Sequence, residues 1–400
     1  MSYLADRLKL IKPSPGLELM RRVTEMKRAG KDVIGLGVGE PDFDTPDHIK
    51  EAAYKAIRDG KTKYTTVDGT IELKEAIQEK FRRDNQLDFK TSEITVNSGT
   101  KHSIYNALVA TLNPGDEVLI PSPYWMSYPD MALLAGGVPT FAKTDMKNGF
   151  RLQADVLEAA ITPKTKWLVL NSPNNPTGGA YTLEDFEKLA EVLRKHPQVL
   201  VMCDDIYEHL VYDGFKFSTF LNAAPDLKER VFTMNGVAKG YAMTGWRIGF
   251  AGGPELLIKA INKVQSQSTS NPCSISQEAS ITALLGPQEF LKERAAIFQD
   301  RRDKVLSMLN QAKGISCFRP EGAFYIYADV SELVGKKTPE GRVLENDADI
   351  VGYFLDAKGV AVIPGAVFGQ SPFFRLSYAA SMETLEDASK RIQEATAALT

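Results

Sequence analysis

The sequence is poor in the features that mark several protein classes. Its 400 residues include only 3 Cys and 4 His, and 48 Lys plus Arg stand against 51 Asp plus Glu, for a formal net charge of −3. An odd number of scattered cysteines excludes a complete disulfide framework. The histidines lack metal-ligand spacing, so no metal site is predicted. Without a basic excess, nucleic acid is not expected as a partner.

Long hydrophobic runs are also missing. No window approaches the roughly 18 to 20 consecutive apolar residues that a membrane span requires. The opening segment, MSYLADRLKLIKPSPG, carries charges throughout and lacks the apolar stretch of a signal peptide. We therefore expect a cytoplasmic protein with no membrane partner.

The composition is that of an ordinary globular protein, with 43% hydrophobic and 25% charged residues. A chain of this length exceeds the usual size of one domain. Up to about residue 286, short apolar strands alternate with helices, which predicts a mostly parallel sheet covered by helices on both faces. The later pattern is that of a smaller α+β domain. We expect an N-terminal arm at 1–45 that packs on the small domain, a large domain at 46–286 and the small domain at 287–400.

Polar clusters follow the predicted strands of the large domain. They are Ser98-Gly99-Thr100, the segment 171–178, Asp204-Asp205 and Lys239. In a parallel sheet the ligand site lies at the carboxyl ends of the strands. The clusters are therefore predicted to converge on one site.

The segment GLGVGEPDF superficially resembles a dinucleotide-binding fingerprint. The spacing from Gly37 through Gly39 to Asp42 lacks the third glycine, and Pro41 and Pro46 oppose the helix that should follow. The dinucleotide interpretation is rejected. A loop whose backbone approaches a ligand and a plain turn both remain open.

Several polar residues have both a chemical and a bland interpretation. Lys239 lies among apolar neighbours, where a lysine has a lowered pKa and can form a Schiff base, although most loop lysines are solvated. Asp204 ends a buried strand and needs a partner, an ion pair or a metal. The residues from Ser98 to Lys101 open a helix that could bind phosphate or simply be capped. Asn175 is held extended by Pro176 in what could be only a turn.

Taken together, eight segments resemble the class I aminotransferases of the fold-type I pyridoxal-phosphate enzymes, close to the prokaryotic aspartate aminotransferase subgroup. They occur in family order over almost the whole chain: KPSPG, GVGEPDFDTP, KYTTVDG, SPYW, NSPNNPTGG, CDDIYE, VAKGYAMTGWRIGF and FFRLSYA. The resemblance implies a mostly parallel seven-stranded sheet between helices, a smaller α+β domain, bound pyridoxal 5'-phosphate, and a homodimer with shared active sites.

The resemblance also implies roles for cofactor-binding residues. Lys239 would hold the cofactor aldehyde as an internal aldimine and then move a proton as a base. The other expected contacts are Asp204 to the pyridine nitrogen, Asn175 and Tyr207 to the phenolic oxygen, Gly99, Thr100 and Arg247 to the phosphate, Tyr64 to the phosphate of the other subunit, and Trp125 stacked on the ring.

Substrate contacts follow from the same resemblance. Arg375 would grip the α-carboxylate, Gly39 would offer it a backbone N–H, and Trp125 and Asn175 would also line the substrate site. Lys101 is the candidate for a distal carboxylate, although a solvated residue in the first helical turn is an equal alternative.

Two departures from the family pattern matter. Ala238 stands where relatives often have Ser, so one possible phosphate-side hydroxyl is missing, and Gly16 stands where they commonly have Thr near the substrate side chain, which bears on side-chain specificity. The segment 265–276 has no Arg, so no guanidinium clamp for a distal carboxylate is evident there. The expected reaction is transfer of an amino group from an L-amino acid, with aspartate as the leading donor, to 2-oxoglutarate by a ping-pong mechanism. Alternatives are aromatic, prephenate/arogenate or alanine specificity, a lyase or decarboxylase of the same fold, and a non-catalytic binding module.

Overall fold

The computed structural model of the chain describes residues 3–11 and 15–400, so part of the KPSPG motif, residues 12–14, lies outside the described residues. The strands in the described part are β1 Ile34–Gly35, β2 Ile94–Asn97, β3 Glu117–Ser122, β4 Val138–Lys143, β5 Thr165–Asn171, β6 Leu200–Asp204, β7 Val231–Gly236, β8 Gly249–Gly252, β9 Ser316–Cys317, β10 Tyr325–Asp329, β11 Val360–Ala361, β12 Ile363–Pro364 and β13 Phe373–Ser377.

The α-helices of the same residues are α1 Pro15–Arg28, α2 Asp47–Arg58, α3 Ile71–Asn85, α4 Thr100–Thr111, α5 Ser127–Leu134, α6 Ala154–Ala160, α7 Leu183–Lys195, α8 Phe220–Ala223, α9 Glu255–Ser266, α10 Ser274–Leu285, α11 Glu289–Leu309, α12 Asp347–Lys358 and α13 Met382–Ala397. Short 3₁₀ helices occupy Asp6–Lys9, Thr91–Glu93, Met146–Asn148, Pro225–Arg230, Ser331–Leu333 and Gly365–Phe368. Within the described ranges, no helix is both long and apolar enough to cross a membrane.

A seven-stranded sheet forms the centre of the molecule, in the order β2-β8-β7-β6-β5-β3-β4. All neighbouring pairs are parallel except those made by β8, which runs antiparallel to both β2 and β7. The expected fold class, a mostly parallel seven-stranded sheet, is confirmed.

Both faces of this sheet are buried, because successive residues of its strands enter different cores. Leu168 and Leu170 of β5 belong to the core that includes residues of α2, α3, α7 and α10. Trp167 and Val169 of the same strand belong to the core that includes residues of α4, α5 and α9. Burial on both faces explains why the central strands are continuous apolar runs.

A second sheet of four strands, in the order β12-β13-β10-β9, lies in the C-terminal part and is antiparallel. The first strand of the chain, β1, pairs in parallel with β11, so that Ile34 faces Val360. Helix α10 packs on α2 and α3, whereas α11 packs on α13. These contacts support a proposed division into an arm at 1–45 that joins a small domain at 287–400, and a large domain at 46–286.

A fully buried ion pair connects α3 to the segment that follows β6. The ammonium of Lys80, only 1% exposed, contacts the carboxylate of Glu208. Asn85 completes a triangle, because its Oδ1 accepts from Lys80 Nζ at 2.6 Å and its Nδ2 donates to Glu208 Oε2 at 2.8 Å. The residues just before Glu208 include Asp204 and Tyr207, so the triangle holds a segment of the expected site in place.

We predict that Lys80→Met lowers the free energy of unfolding by about 3–5 kcal/mol, since it removes the lysine counter-ion of the buried Glu208 carboxylate and leaves Asn85 and His209 as its contacts. Lys55→Met is the matched control: Lys55 pairs with Asp59 on the surface, with a side chain 72% exposed, and its loss is expected to change stability by less than about 0.5 kcal/mol. Urea denaturation of both variants measures the difference. Equal losses would contradict the prediction.

Candidate active site

A cavity of about 400 Å³ lies at the carboxyl ends of the central strands, where the polar clusters were expected to converge. Asn171 ends β5, Asp204 ends β6, and Lys239 follows β7. The four-stranded sheet contributes Tyr325 from β10 and Arg375 from β13 to the cavity wall.

Eleven of the twelve site residues expected from the sequence line this cavity. They are Gly39, Gly99, Thr100, Lys101, Trp125, Asn175, Asp204, Tyr207, Lys239, Arg247 and Arg375. Tyr64 does not line it and is 90% exposed. Its expected contact with the other subunit therefore stays a prediction.

Lys239 presents its amine to the cavity from the loop after β7. Its Nζ donates a hydrogen bond to the backbone carbonyl of Gly39. Burial lowers the pKa of Lys239 to about 8, and the nearby Arg375 and Arg247 guanidiniums act in the same direction, while Glu40 opposes them. An amine with this pKa is available as a nucleophile or a base near neutral pH.

Asp204 is buried at the end of β6 with one oxygen in use. The hydroxyl of Tyr128 donates to its Oδ2 at 2.7 Å, and Oδ1 has no hydrogen-bond partner among the described residues. Burial raises the pKa of Asp204 to about 6, although the Tyr128 hydrogen bond acts against the rise. A buried carboxylate oxygen without a partner is costly, which indicates that a ligand donor belongs there.

A helix N-terminus and an arginine adjoin each other at one end of the cavity. Gly99 precedes α4 with φ of +88°, and a Cβ on it would lie 2.4 Å from Arg247 Nη2. Arg247 donates to the carbonyl of Thr244 at 2.9 Å. The first amides of α4 and this guanidinium together form a site suited to an anion such as phosphate.

Trp125 also lines the cavity. Its ring meets the Tyr128 ring edge to face, with centroids 5.3 Å apart. The ammonium of Lys101 lies 4.7 Å from the centroid of the Trp125 ring, and burial lowers the pKa of Lys101. The indole face and the Lys101 ammonium are therefore held together on the cavity wall.

Arg375 is buried and lines the same cavity. Its Nη1 donates to Asn175 Oδ1 at 2.8 Å and its Nη2 donates to the Gly37 carbonyl at 2.6 Å. Its Nε has no hydrogen-bond partner in the described part of the chain. A guanidinium with a free donor in a buried cavity is suited to a carboxylate ligand.

The segment 37–45, here called the bridging segment, runs from the small domain to the large one. Besides the carbonyls of Gly37 and Gly39, its Glu40 carboxylate accepts from the Thr244 hydroxyl. Asp42 pairs with both terminal nitrogens of Arg301, at 2.7 and 2.8 Å. The segment thus touches Arg375 and Lys239 while it is fastened at its far side to α11.

Six polar residues of the cavity are not among the site residues expected from the sequence: Glu40, Ser127, Tyr128, Asn171, Thr244 and Tyr325. Three of them make hydrogen bonds to Asp204 or Tyr207. Tyr128 reaches Asp204 from α5, Asn171 donates its amide to the Asp204 carbonyl at 2.8 Å, and the Tyr325 hydroxyl lies 2.7 Å from that of Tyr207. Asn171 belonged to a polar cluster already identified. The two tyrosines lie in elements without any local motif, so no sequence signal pointed to them.

The cavity fits the pyridoxal phosphate that the resemblance implies. The Asp204 oxygen without a partner suits a protonated pyridine nitrogen, the Lys239 amine suits an aldehyde, and the start of α4 with Arg247 suits a phosphate. These are groups of this chain that would hold the cofactor.

We predict that Lys239 in cofactor-free protein is acylated with a pH midpoint near 8, because its buried amine loses its proton more readily than an ordinary lysine does. Lys188 is the control, since Glu184 raises its pKa and its side chain is 58% exposed. Its acylation is expected to keep rising beyond about pH 10. Mass spectrometry of the two peptides measures both rates. A Lys239 midpoint above 10 would refute the prediction.

Comparison with known proteins agrees with this geometry. The family model for aminotransferase class I and II matches residues 31–392. The chain is 55% identical to a probable aspartate/prephenate aminotransferase from Rickettsia bellii over 100% of both chains, and 56% identical to an aspartate/prephenate aminotransferase from Cereibacter sphaeroides over 98% of both.

Solved structures lead to the same family. The crystal structure of the aspartate aminotransferase from Rhizobium meliloti superimposes with a TM-score of 0.98 at 53% identity, covering 100% of both chains. That of the aspartate aminotransferase from Thermus thermophilus with maleate gives 0.91 at 42% identity, covering 99% of this chain and 100% of the other. The chain belongs to the class I and II aminotransferases and is an enzyme that depends on pyridoxal 5'-phosphate.

Proposed function

We propose that the protein is a cytoplasmic aspartate aminotransferase that passes the amino group of L-aspartate to 2-oxoglutarate in a ping-pong cycle. The observation that carries the proposal is the meeting of Lys239, Asp204 and Arg375 in one buried cavity. The names of the relatives from Cereibacter sphaeroides and Rhizobium meliloti support aspartate as the donor.

In this proposal the cavity holds pyridoxal 5'-phosphate, which supplies an aldehyde to capture amino groups and a ring that accepts electrons from the substrate Cα. Asp204 keeps the pyridine nitrogen protonated through its free oxygen. Tyr207 and Asn175 hydrogen-bond the phenolic oxygen. Trp125 covers the ring face, and a further set of groups holds the phosphate: Gly99, Thr100, Arg247 and the partner's copy of Tyr64.

Lys239 is the proposed base. With a pKa of about 8, about one Lys239 amine in ten is neutral at pH 7, against fewer than about one in a thousand for an ordinary lysine. Its flexible stem would let Nζ leave the Gly39 carbonyl and move a proton at the substrate Cα. Burial therefore provides the free base that proton transfer requires.

Arg375 is the proposed clamp for the substrate α-carboxylate. Asn175 and the Gly37 carbonyl hold two of its nitrogens, so that the guanidinium plane is set before the ligand arrives. The Gly39 N–H is proposed to assist. Pre-set donors need little reorganisation when the carboxylate binds.

Lys101 is the proposed contact for the distal carboxylate of aspartate. Its ammonium lies over Trp125, inside the cavity and close to the expected substrate position. Prephenate also carries a second carboxylate, and two of the relatives above are named aspartate/prephenate aminotransferases. Prephenate is therefore the second candidate, as an alternative amino acceptor.

We further propose a homodimer with shared active sites. Tyr64 is 90% exposed and Ile71, nearby in the chain, is 50% exposed. Exposure of these side chains in the single chain is what a surface covered by a second copy would show.

We predict that L-aspartate and 2-oxoglutarate yield equal amounts of oxaloacetate and glutamate, because the amino group is carried and not released. Chromatography of the products measures the ratio. Release of ammonia or CO₂ in place of glutamate would indicate a lyase or decarboxylase and refute the proposal.

Lys239→Ala is expected to lose turnover by at least about 10⁴-fold, since it removes the base and the covalent anchor together.

The same assay tests specificity with Lys101→Met, which keeps the length of the side chain and removes its charge. The KM for aspartate is expected to rise about 10- to 100-fold, as for the loss of a charged hydrogen bond. The KM for L-alanine, which has no distal carboxylate, is expected to change less than about threefold. An equal rise for both donors would exclude Lys101 as the distal contact.

A mixed dimer tests the shared site. One subunit carries Lys239→Ala and the other carries Tyr64→Phe. Only the Tyr64→Phe subunit can then hold the cofactor covalently. The phosphate of that cofactor is expected to contact the intact Tyr64 of the Lys239→Ala subunit. We predict about half the activity of the wild-type dimer at limiting cofactor. The Tyr64→Phe homodimer is expected to bind the cofactor about tenfold more weakly. A mixed dimer as impaired as that homodimer would place the action of Tyr64 within its own subunit.

A further inference from the structure

Tyr325 lies in the cavity without any part in the proposed function. It is the first residue of β10, it is fully buried, and it lines the cavity beside Tyr207 and Arg375. It contacts both of those residues, one proposed to bind the cofactor and the other the substrate. Tyr325 is thus in contact with one residue from each of the two proposed binding sites.

The hydroxyl of Tyr325 contacts the hydroxyl of Tyr207. The two oxygens are 2.7 Å apart, and the rings meet edge to face at 84°. Either oxygen can donate in the free protein. A hydroxyl has a single hydrogen to donate. If the Tyr207 hydroxyl donates its hydrogen bond to the phenolic oxygen of the cofactor, it can therefore only accept a hydrogen bond from Tyr325. A donor behind Tyr207 polarises its O–H bond and strengthens the hydrogen bond ahead of it.

The ring of Tyr325 supports the guanidinium of Arg375. The guanidinium carbon lies 4.6 Å from the centroid of the Tyr325 ring and 4.9 Å from that of Phe368. A cation close to ring faces and away from water gains from the negative charge of those faces. The two rings therefore restrict the plane of the Arg375 guanidinium.

The bridging segment passes directly over the Tyr325 hydroxyl. A Cβ on Gly39 would lie 2.4 Å from that oxygen. The carbonyl of Gly39 accepts from Lys239, so the absence of a side chain at 39 lets one residue approach both Tyr325 and the catalytic amine. Glycine at this position is explained by the close approach.

We propose that Tyr325 is a positioning residue that acts on both halves of the site, its hydroxyl orienting and polarising Tyr207 and its ring holding the plane of Arg375. The proposal rests on the roles proposed above for those two residues. It predicts that the two effects can be separated, because the hydroxyl and the ring face contact different partners.

The first test is the absorbance of the bound cofactor, titrated against pH in the holoenzyme. A hydrogen bond donated to an anionic oxygen stabilises the deprotonated form, so a weaker bond from Tyr207 raises the midpoint. Tyr325→Phe is expected to raise it by about 0.5 to 1 unit, as for one neutral hydrogen bond. The charged groups near the hydroxyl pair, Arg375, Asp204 and Lys239, are unchanged in this variant.

The second test is the affinity for succinate, a dicarboxylate without an amino group, measured by absorbance titration. Tyr325→Phe keeps a ring and is expected to change the succinate Kd less than about twofold. Tyr325→Leu removes the ring face and is expected to weaken binding about 3- to 10-fold in addition to raising the midpoint. If both variants weaken succinate binding equally, the separation fails and the proposal is overturned.

Tyr327→Phe is the matched control. Tyr327 is a buried tyrosine of the same strand whose hydroxyl donates to the carbonyl of Gln370 at 2.7 Å, outside the cavity. It is expected to move neither the midpoint nor the succinate Kd. Gly39→Ala provides a second route to the hydroxyl should Tyr325 variants fold poorly, because the added methyl displaces the Tyr325 oxygen and is expected to raise the midpoint as well.

Tyr207→Phe separates this proposal from the one on which it rests. It is expected to raise the midpoint more than Tyr325→Phe, and the double variant to match Tyr207→Phe alone, since Tyr325 acts through Tyr207. A shift with Tyr207→Phe and none with Tyr325→Phe overturns the role of Tyr325 only. No shift with either overturns the proposed role of Tyr207 together with it.

Discussion

Three charged side chains share one buried cavity with part of their hydrogen-bonding capacity unused. Among the described residues, Asp204 Oδ1 and Arg375 Nε have no hydrogen-bond partner, and burial lowers the pKa of Lys239 to about 8. Isolated charges are costly to bury, so the surrounding protein must hold them in place. They are held by hydrogen bonds to Tyr128, Asn175 and the backbone carbonyls of Gly37 and Gly39. Their remaining hydrogen-bonding positions are left for ligands. The buried charges that make the site reactive are the same charges that the surrounding protein must hold in place.

Two sheets of the fold supply the residues of the cavity. The large sheet brings Asp204 and the Lys239 loop to one edge, because parallel strands end together. The small domain brings Tyr325 and Arg375, which face the cavity from neighbouring strands of another sheet. The Lys80–Glu208 ion pair attaches the segment between Asp204 and α8 to helix α3. Residues from two different sheets thus meet in one cavity.

Much of the fold could be predicted from the sequence, for physical reasons. Strands β5, β6 and β7 are buried on both faces and therefore form apolar runs in the sequence, while β4, with Ala142 as its one buried residue, carries no such signal. Eleven expected site residues lie in local motifs, and the structure brings them into one cavity. Tyr128 and Tyr325 could not be predicted, because their hydrogen bonds join residues 76 and 118 positions apart. Such contacts depend on packing between elements.

The bridging segment has a consequence for how the chain can vary in evolution. Leu36 is held by hydrogen bonds to Ala361 and Ser377 in the small domain, and Thr45 by one to Ala242 in the large domain. Between these anchors, two carbonyls hold Lys239 and Arg375. An insertion or deletion there would shift the amine and the guanidinium relative to each other, whereas a change of side chain would leave both carbonyls where they are. The length of this stretch is therefore constrained by geometry, as are the glycines at 37 and 39, where an added Cβ would meet Ile363 and Tyr325.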